Sequence, residues 1–250
     1  MNRPRPALRR FDEPSDRHLA VLIDADNAQA TLIEALLAET SRYGTATVKR
    51  AYGDWTTPNL NGWRTILHEH AIQPVQQFRY TQRKNATDSA LIIDAMDLLH
   101  TGDLDGFCLV SSDSDFTRLA TRIRESGLVV YGFGQKNAQA AFVAACDRFI
   151  FTELLAQNGT CLDRPSEDTS SLKPLIRRAV AAATRDDGWA LLSAVGSVIA
   201  KQHPSFDARS YGFQKLGDLF RELPYIETRD AASPNGAGSG HLEVRISESR

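Results

Sequence analysis

Cysteine is scarce: Cys108, Cys146 and Cys161 are the only three in 250 residues, and their spacing suggests no pairing. That argues against a disulfide framework and for a reducing compartment. Histidine is nearly as sparse, with six in the chain. His68 and His70, two apart, fall on different sides of a helix. No Cys or His set has zinc-ligand spacing. No apolar run approaches the ~20 residues of a membrane span. The opening "MNRPRPALRRFDEP" has Arg and Pro but no apolar signal core. A Walker-type glycine loop is missing too. Net charge is only -2, so the whole chain shows no strongly basic nucleic-acid footprint. These absences lead us to expect a soluble, cytoplasmic protein with no membrane contact.

What is present is a core's worth of apolar residues, 42% of the chain, and an uneven charge distribution. Residues 19–156 carry 12 Lys+Arg against 16 Asp+Glu, giving -4. Residues 172–230 carry 9 against 7, giving +2, and residues 1–18 hold five Arg against three acids. Apolar strand patterns alternate with single helical ones: "HLAVLID", "QATLIEALLAETSRYG" stopping at Gly44, "TATVKRAYG", "NLNGWRTILHEH", "IQPVQQF", "TDSALIIDAMDLLHTG", "GFCLVSS", "DFTRLATRIRESG", "LVVYGFG", "NAQAAFVAACD" and "RFIFT". Pro74 predicts that its strand lies near an edge. The alternation predicts an α/β domain, a mostly parallel sheet with helices on both faces.

Composition then changes. "AQNGTCLDRPSEDTSS" is polar and aperiodic, a linker pattern. Three helical patterns follow, "LKPLIRRAVAAATRDD", "WALLSAVGSVIAKQH" and "DARSYGFQKLGDLFREL", then "PYIETRD", a Gly/Ser/Asn-rich loop and "HLEVRIS". The period-two alternation of that last segment favours a hairpin over a flexible tail, and so a small winged-helix domain. The expected organisation is a disordered basic arm (1–17), an α/β domain (18–156), a linker (157–171) and a winged-helix domain (172–250).

The first strand ends in "DADN", and "GFCLVSS" runs into "DSD". In an open parallel sheet, ligands bind at the carboxyl ends of strands where strand order reverses. If these two strands are neighbours there, Asp24, Asp113 and Asp115 share one rim. Asp88, at the start of a helix, lies on the same edge. Crowded carboxylates need a cation. An oxygen-rich, sulfur-free set suits Mg²⁺ or Mn²⁺. Asn27 would hold a water or a phosphate oxygen without adding charge. A helix cap explains Asp88, Asp113 or Asp115 singly just as well, and Asp26 reads equally as a solvated loop residue. Asp94, about 240° round the helix from Asp88, is assigned to structure. Caps do not explain why two separate strands both end in acids.

"VLIDADN", "KNATDSALIIDAMDLL" and "FCLVSSDSDFTRLATRIRESGLVVYGFG" together resemble the NYN domain family, relatives of the PIN-like nucleases, over residues 18–155. The resemblance implies a PIN-like fold and a Mg²⁺- or Mn²⁺-dependent ribonuclease. It maps the acidic pocket onto Asp24, Asn27, Asp88, Asp113 and Asp115. "GWALLSAVGSVIAKQHPSFDARSYGFQKLGDLFREL" resembles the LOTUS or OST-HTH domain, which implies RNA as a target or a protein partner through the C-terminal domain. On this reading Asp24, Asp88, Asp113 and Asp115 are metal ligands. Arg79, Arg83 and Lys84 approach phosphates, as do Arg209 and Lys215, and Tyr211 offers a stacking face. For Tyr211, packing in the helical core is the reading slightly favoured over a stacking face. Two alternatives stand beside the ribonuclease. One is an RNA-binding adaptor without catalysis. The other is a phosphatase of the haloacid dehalogenase class, which Asp24-x-Asp26 would open but whose Lys should follow Ser111, not precede it as Lys84 does.

Overall fold

The computed structural model describes residues 17–78, 86–101, 103–156, 172–231 and 241–247. Arg79, Arg83 and Lys84, most of the predicted N-terminal arm, the predicted linker and the loop at 232–240 lie outside them. Two compact units result. One comprises the residues through Cys146 with Phe151–Ala156, the other Asp147–Ile150 with the residues after Ala156.

The larger sheet has β1 (His18–Asp24), β2 (Thr45–Gly53), β3 (Gln73–Gln76), β4 (Gly106–Val110), β5 (Val129–Gly134) and β6 (Arg148–Phe151), in the order β3-β2-β1-β4-β5-β6. β1 runs parallel to both β2 and β4, as β2 does to β3 and β4 to β5. The chain winds one way from β1 to β3, then returns to the other side of β1 for β4. That reversal puts the ends of β1 and β4 side by side, with Ile23 opposite Val110. Leu19 to Ile23 are fully buried, as a strand covered on both faces requires. Leu22→Ala there would cost about 2–5 kcal/mol. β3 lies at the edge of the sheet, where Pro74 removes no ladder donor.

The flanking helices are α1 (Ile33–Thr40), α2 (Trp63–Glu69), α3 (Ala86–Thr101), α4 (Thr117–Glu125), α5 (Ala140–Ala145) and α6 (Thr152–Ala156). α1 is shorter than its sequence pattern, because a 3-10 turn at Ala30–Leu32 precedes it and the helix ends at Thr40. Gly44 is therefore not its cap. A Cβ at Gly44 would sit 2.6 Å from the Arg17 carbonyl oxygen, so the glycine permits a close backbone approach. Gly127 does end its helix in the left-handed region, at φ 85°. Arg50 on β2 and Asp94 on α3 form an ion pair, and the Tyr52 hydroxyl also donates to Asp94. Asp94 thus fastens α3 to the sheet. α6 had no counterpart in the sequence pattern.

The second unit contains α7 (Lys173–Ala183), β7 (Ala190–Leu191), α8 (Leu192–Gln202), α9 (Leu216–Glu222), β8 (Ile226–Ala231) and β9 (His241–Ile246). Ile176, Val180, Val195, Ile199, Leu219, Phe220 and Val244 form its core. β8 and β9 make the expected hairpin, and β7 adds a third strand to give the order β7-β9-β8. The helical pattern had claimed Ala190 and Leu191, but they pair with Val244 and Glu243. The third helical pattern is also broken. A 3-10 turn spans Ala208–Tyr211, and Gly212 at φ 85° stops it before α9 begins.

Among the described residues, no helix is long and apolar enough to cross a membrane.

Candidate active site

The β1 strand delivers Asp24 to the rim fully buried. Its Oδ1 accepts from the Asp26 backbone N–H at 3.2 Å. Its Oδ2 accepts from Asn27 Nδ2 at 2.6 Å and from the Ser111 hydroxyl at 2.9 Å. The backbone N–H of Ala28 closes onto the Asp24 carbonyl at 2.9 Å. Asp24 therefore folds the "DADN" turn around itself. Burial pushes its carboxyl pKa up, and the hydrogen bonds from Asn27 and Ser111 oppose that rise.

Ser111 carries the connection across to β4. Its oxygen accepts from the Asp113 backbone N–H at 3.1 Å while its proton goes to Asp24. Asp113 in turn caps the 3-10 turn Ser114–Phe116, accepting from the Asp115 N–H at 3.0 Å. Here the cap reading of Asp113 holds, yet it does not exhaust the residue. One carboxylate oxygen each from Asp88, Asp113 and Asp115 lies within 4.8 Å of the other two. Asp88 enters this group from the first turn of α3. The neighbouring residue, Thr87, is buried and donates its hydroxyl to Asp26 Oδ2 at 3.2 Å.

Three carboxylates at this separation repel. Burial, then the charges of Asp24, Asp113, Asp115 and Asp26, raise the Asp88 pKa from 3.8 to about 6. The donor set is all oxygen, anionic and open to solvent at Asp115. It fits a hard divalent cation with water completing its shell.

The structure thus gathers Asp88, Asp113 and Asp115, with Asp24 beneath them and Asn27 exposed at the mouth. A narrow cleft beside the group is lined by Asn27, Gln29, Ser111, Ser112, Phe133 and Gln135, among others. Asp24 differs from the expectation of an open ligand, because both its oxygens already hold hydrogen bonds. Sequence reasoning missed Ser111 and Thr87 as members of the site. Their neighbours Asp113 and Asp88 were the available signal, but a hydroxyl's partner 87 or 61 residues away leaves no trace in local pattern.

The model of the NYN domain matches residues 18–155. The chain belongs to the NYN domain family. All five pocket residues predicted by resemblance lie inside the matched NYN region. Members of the family are typically nucleases, and the trio of Asp in this NYN domain could bind a metal. The OST-HTH/LOTUS domain model matches residues 163–236. No curated protein matches the chain. A solved Vibrio parahaemolyticus protein of unknown function is similar at 20% identity, covering 55% of this chain and 94% of its own, with TM-score 0.45. An uncharacterized Nitrosomonas europaea protein is 25% identical over 37% of this chain and 86% of its own, TM-score 0.32. A Chromobacterium violaceum protein fragment is 30% identical over 36% and 91%, TM-score 0.28.

In the OST-HTH/LOTUS unit, Arg209 is not an open cation. Its Nε and Nη2 donate to Asp207 at 3.0 and 2.7 Å. Tyr211 stacks on Phe206 with centroids 5.9 Å apart and packs against the core. The core reading of Tyr211 prevails over the stacking platform. Lys215 is exposed, just before α9.

Proposed function

We propose that this protein is a metal-dependent ribonuclease that hydrolyses RNA phosphodiester bonds. The observation that carries the reading is the meeting of Asp88, Asp113 and Asp115 at the point where strand order reverses. These three would hold Mg²⁺ or Mn²⁺. Such an ion would supply positive charge for the scissile phosphate and lower the pKa of water. The chain's own residues do the rest. Asp113, fixed by its backbone bond to Ser111, and Asp88, fixed at the head of α3, set the spacing of the trio. Asp24 holds the two strand ends together from below and adds negative charge behind the trio. Asn27 carries no charge, so it meets substrate or water at the mouth without adding repulsion.

The winged-helix unit would supply RNA affinity, with Lys215 its candidate phosphate contact, or would dock a protein partner. Arg79, Arg83 and Lys84 are the candidates on the approach to Asp88. The boundary between the two domains is assigned to 157–171. Cys108 and Cys146 are buried, and the scarcity of cysteine suits a reducing cytoplasm.

The test is incubation of purified protein with labelled structured and unstructured RNAs, in Mn²⁺ or EDTA. Cleavage in Mn²⁺, absent in EDTA and absent from Asp113→Asn, is expected. RNA bound but uncut in both conditions would replace the nuclease with an adaptor.

A further inference from the structure

The rim that carries the acidic trio also carries aromatic residues further along the sheet. β2 and β3 run parallel to β1, so all three release their chains on one edge. Gly53 pairs with Gln76, and the Gln77 N–H continues the ladder to the Gly53 carbonyl at 3.1 Å. Two residues past that pair on each strand come Trp55 and Phe78. Phe78 is 51% exposed, against the burial of Phe107, Phe116, Phe133 and Phe142 in the same unit.

The ground under these rings is rigid. The Trp55 backbone N–H donates to Gln76 Oε1 at 3.0 Å, and its indole N–H to the Val75 carbonyl at 3.0 Å. Trp63 meets the Trp55 ring edge-on at 6.3 Å. Asp54 is buried and accepts from the Thr56 hydroxyl at 2.6 Å and Gln76 Nε2 at 2.9 Å. The indole N–H, the polar handle of Trp55, is thus already spent inside the protein, leaving its half-buried ring as an apolar surface. Phe78 has no polar handle at all. Adjacent strands are ~4.8 Å apart, so β3 lies roughly 14 Å along the rim from β4, whose end leads into Asp113 and Asp115. A short stretch of extended strand spans that distance.

The geometry points to a base-stacking shelf, with Phe78 at its tip and Trp55 behind it, for an unpaired nucleobase of the RNA strand next to the bond being cut. The inference rests on the ribonuclease reading for its ligand. The physical logic is specific to an acidic domain. This unit carries a net charge of -4 over residues 19–156, so stacking on the bases adds grip on the flanking strand that phosphate contacts supply only locally. Stacking on aromatic faces does that for any base, because every base has a π-face. A paired base has its faces covered, so the shelf selects single strands.

The test uses the full chain in EDTA, where no cutting occurs, and a single-stranded RNA oligonucleotide carrying 2-aminopurine. Wild type should bind it and quench the 2-aminopurine fluorescence. Phe78→Ala should weaken binding about tenfold and lose the quench, while Phe78→Trp keeps both. A duplex of the same sequence should bind wild type and Phe78→Ala equally. Equal affinity and equal quench for wild type and Phe78→Ala with the single strand would overturn the shelf. So would a wild type that fails to bind the single strand. If stacking behaves as expected but Mn²⁺ brings no cleavage, the nuclease reading falls and the shelf stands.

Discussion

Two parts of this molecule concentrate charge and treat it in opposite ways. On the β1–β4 rim, Asp88, Asp113 and Asp115 crowd together with Asp24 and Asp26 close behind. On the outer face of the β7-β9-β8 sheet, acids and arginines alternate. Glu243 takes Arg229 Nε at 2.6 Å and also pairs with Arg185, Asp187 takes Arg229 at 3.2 Å, and Glu227 takes Arg245 Nε at 2.8 Å. The Arg229 and Arg245 guanidinium groups lie 4.2 and 4.6 Å from the Trp189 ring centre. Register explains the matching, since Glu227 faces Arg245 and Arg229 faces Glu243 across the hairpin. The pKa values follow. Asp88 is pushed up to about 6, whereas Arg229 and Arg185 hold Glu243 below its usual range. Asp187 is held low by the Trp189 backbone N–H and then by Arg185 and Arg229. The lesson concerns sign. A charge cluster that balances itself stabilises the fold, and one that does not is held together by the fold so that something else can balance it.

The contrast breaks most sharply on activity. Asp113→Asn should cut Mn²⁺-dependent cleavage on the order of 10²-fold or more, read by RNA gel assay, while the winged-helix unit is untouched. Glu243→Gln should leave cleavage unchanged.

Stability should next show opposite signs. In metal-free protein Asp88→Asn should raise Tm, because it removes one of the repelling charges. Glu243→Gln should lower Tm, because two arginines lose their shared partner. Thermal melts in EDTA would read both. Mn²⁺ should raise the Tm of wild type and do little for Asp88→Asn. A loss of Tm in metal-free Asp88→Asn would mean the rim is not frustrated.

The same opposition sets the pH response. Folded Asp88 holds its proton more tightly than the unfolded chain does. The stability this lends is whole below 3.8 and is lost as pH rises through about 6. Glu243 and Asp187 are depressed, so their contribution is present at neutral pH and is lost as pH falls below their ordinary 4.5 and 3.8. Urea titrations without metal should therefore find wild type losing stability from pH 4 to 7 relative to Asp88→Asn.

The smallest effects belong to the cations of the winged-helix unit. Lys215→Ala should leave Tm alone and reduce the salt slope of RNA binding by about 1. Arg209→Ala should instead lower Tm, because it strips the buried Asp207 carboxylate of the guanidinium that holds its pKa down against burial.

The sequence was legible wherever one period ruled a whole segment. β1 and β4 read as buried strands because both faces are covered, and Pro74 placed β3 at an edge. Asp94 was separable from Asp88 by angle alone, and it proved to be the partner of Arg50 and Tyr52. Legibility failed where partners are distant or tiny. Ala190 and Leu191 are a strand only because Val244 is there, and Gly212 breaks a helix whose apolar spacing continues on both sides. Arg209 looked free because a pair two residues apart has no helical logic, whereas the turn at Asp207 bends them together. The meeting of the acids was readable from topology, but the burial of Asp24 under Ser111 and Asn27 was not.

The return of the chain to the far side of β1 has a consequence for synthesis. Domains fold as they are made, amino end first. When β1, β2, β3 and α3 have been synthesised, Asp24 and Asp88 exist but Ser111, Asp113 and Asp115 do not. The carboxylate trio closes only when β4 slots in beside β1 and the turn after it is capped. A chain that stops before β4 therefore holds only one of the three clustered carboxylates, and the trio forms with the strand that completes the sheet's centre.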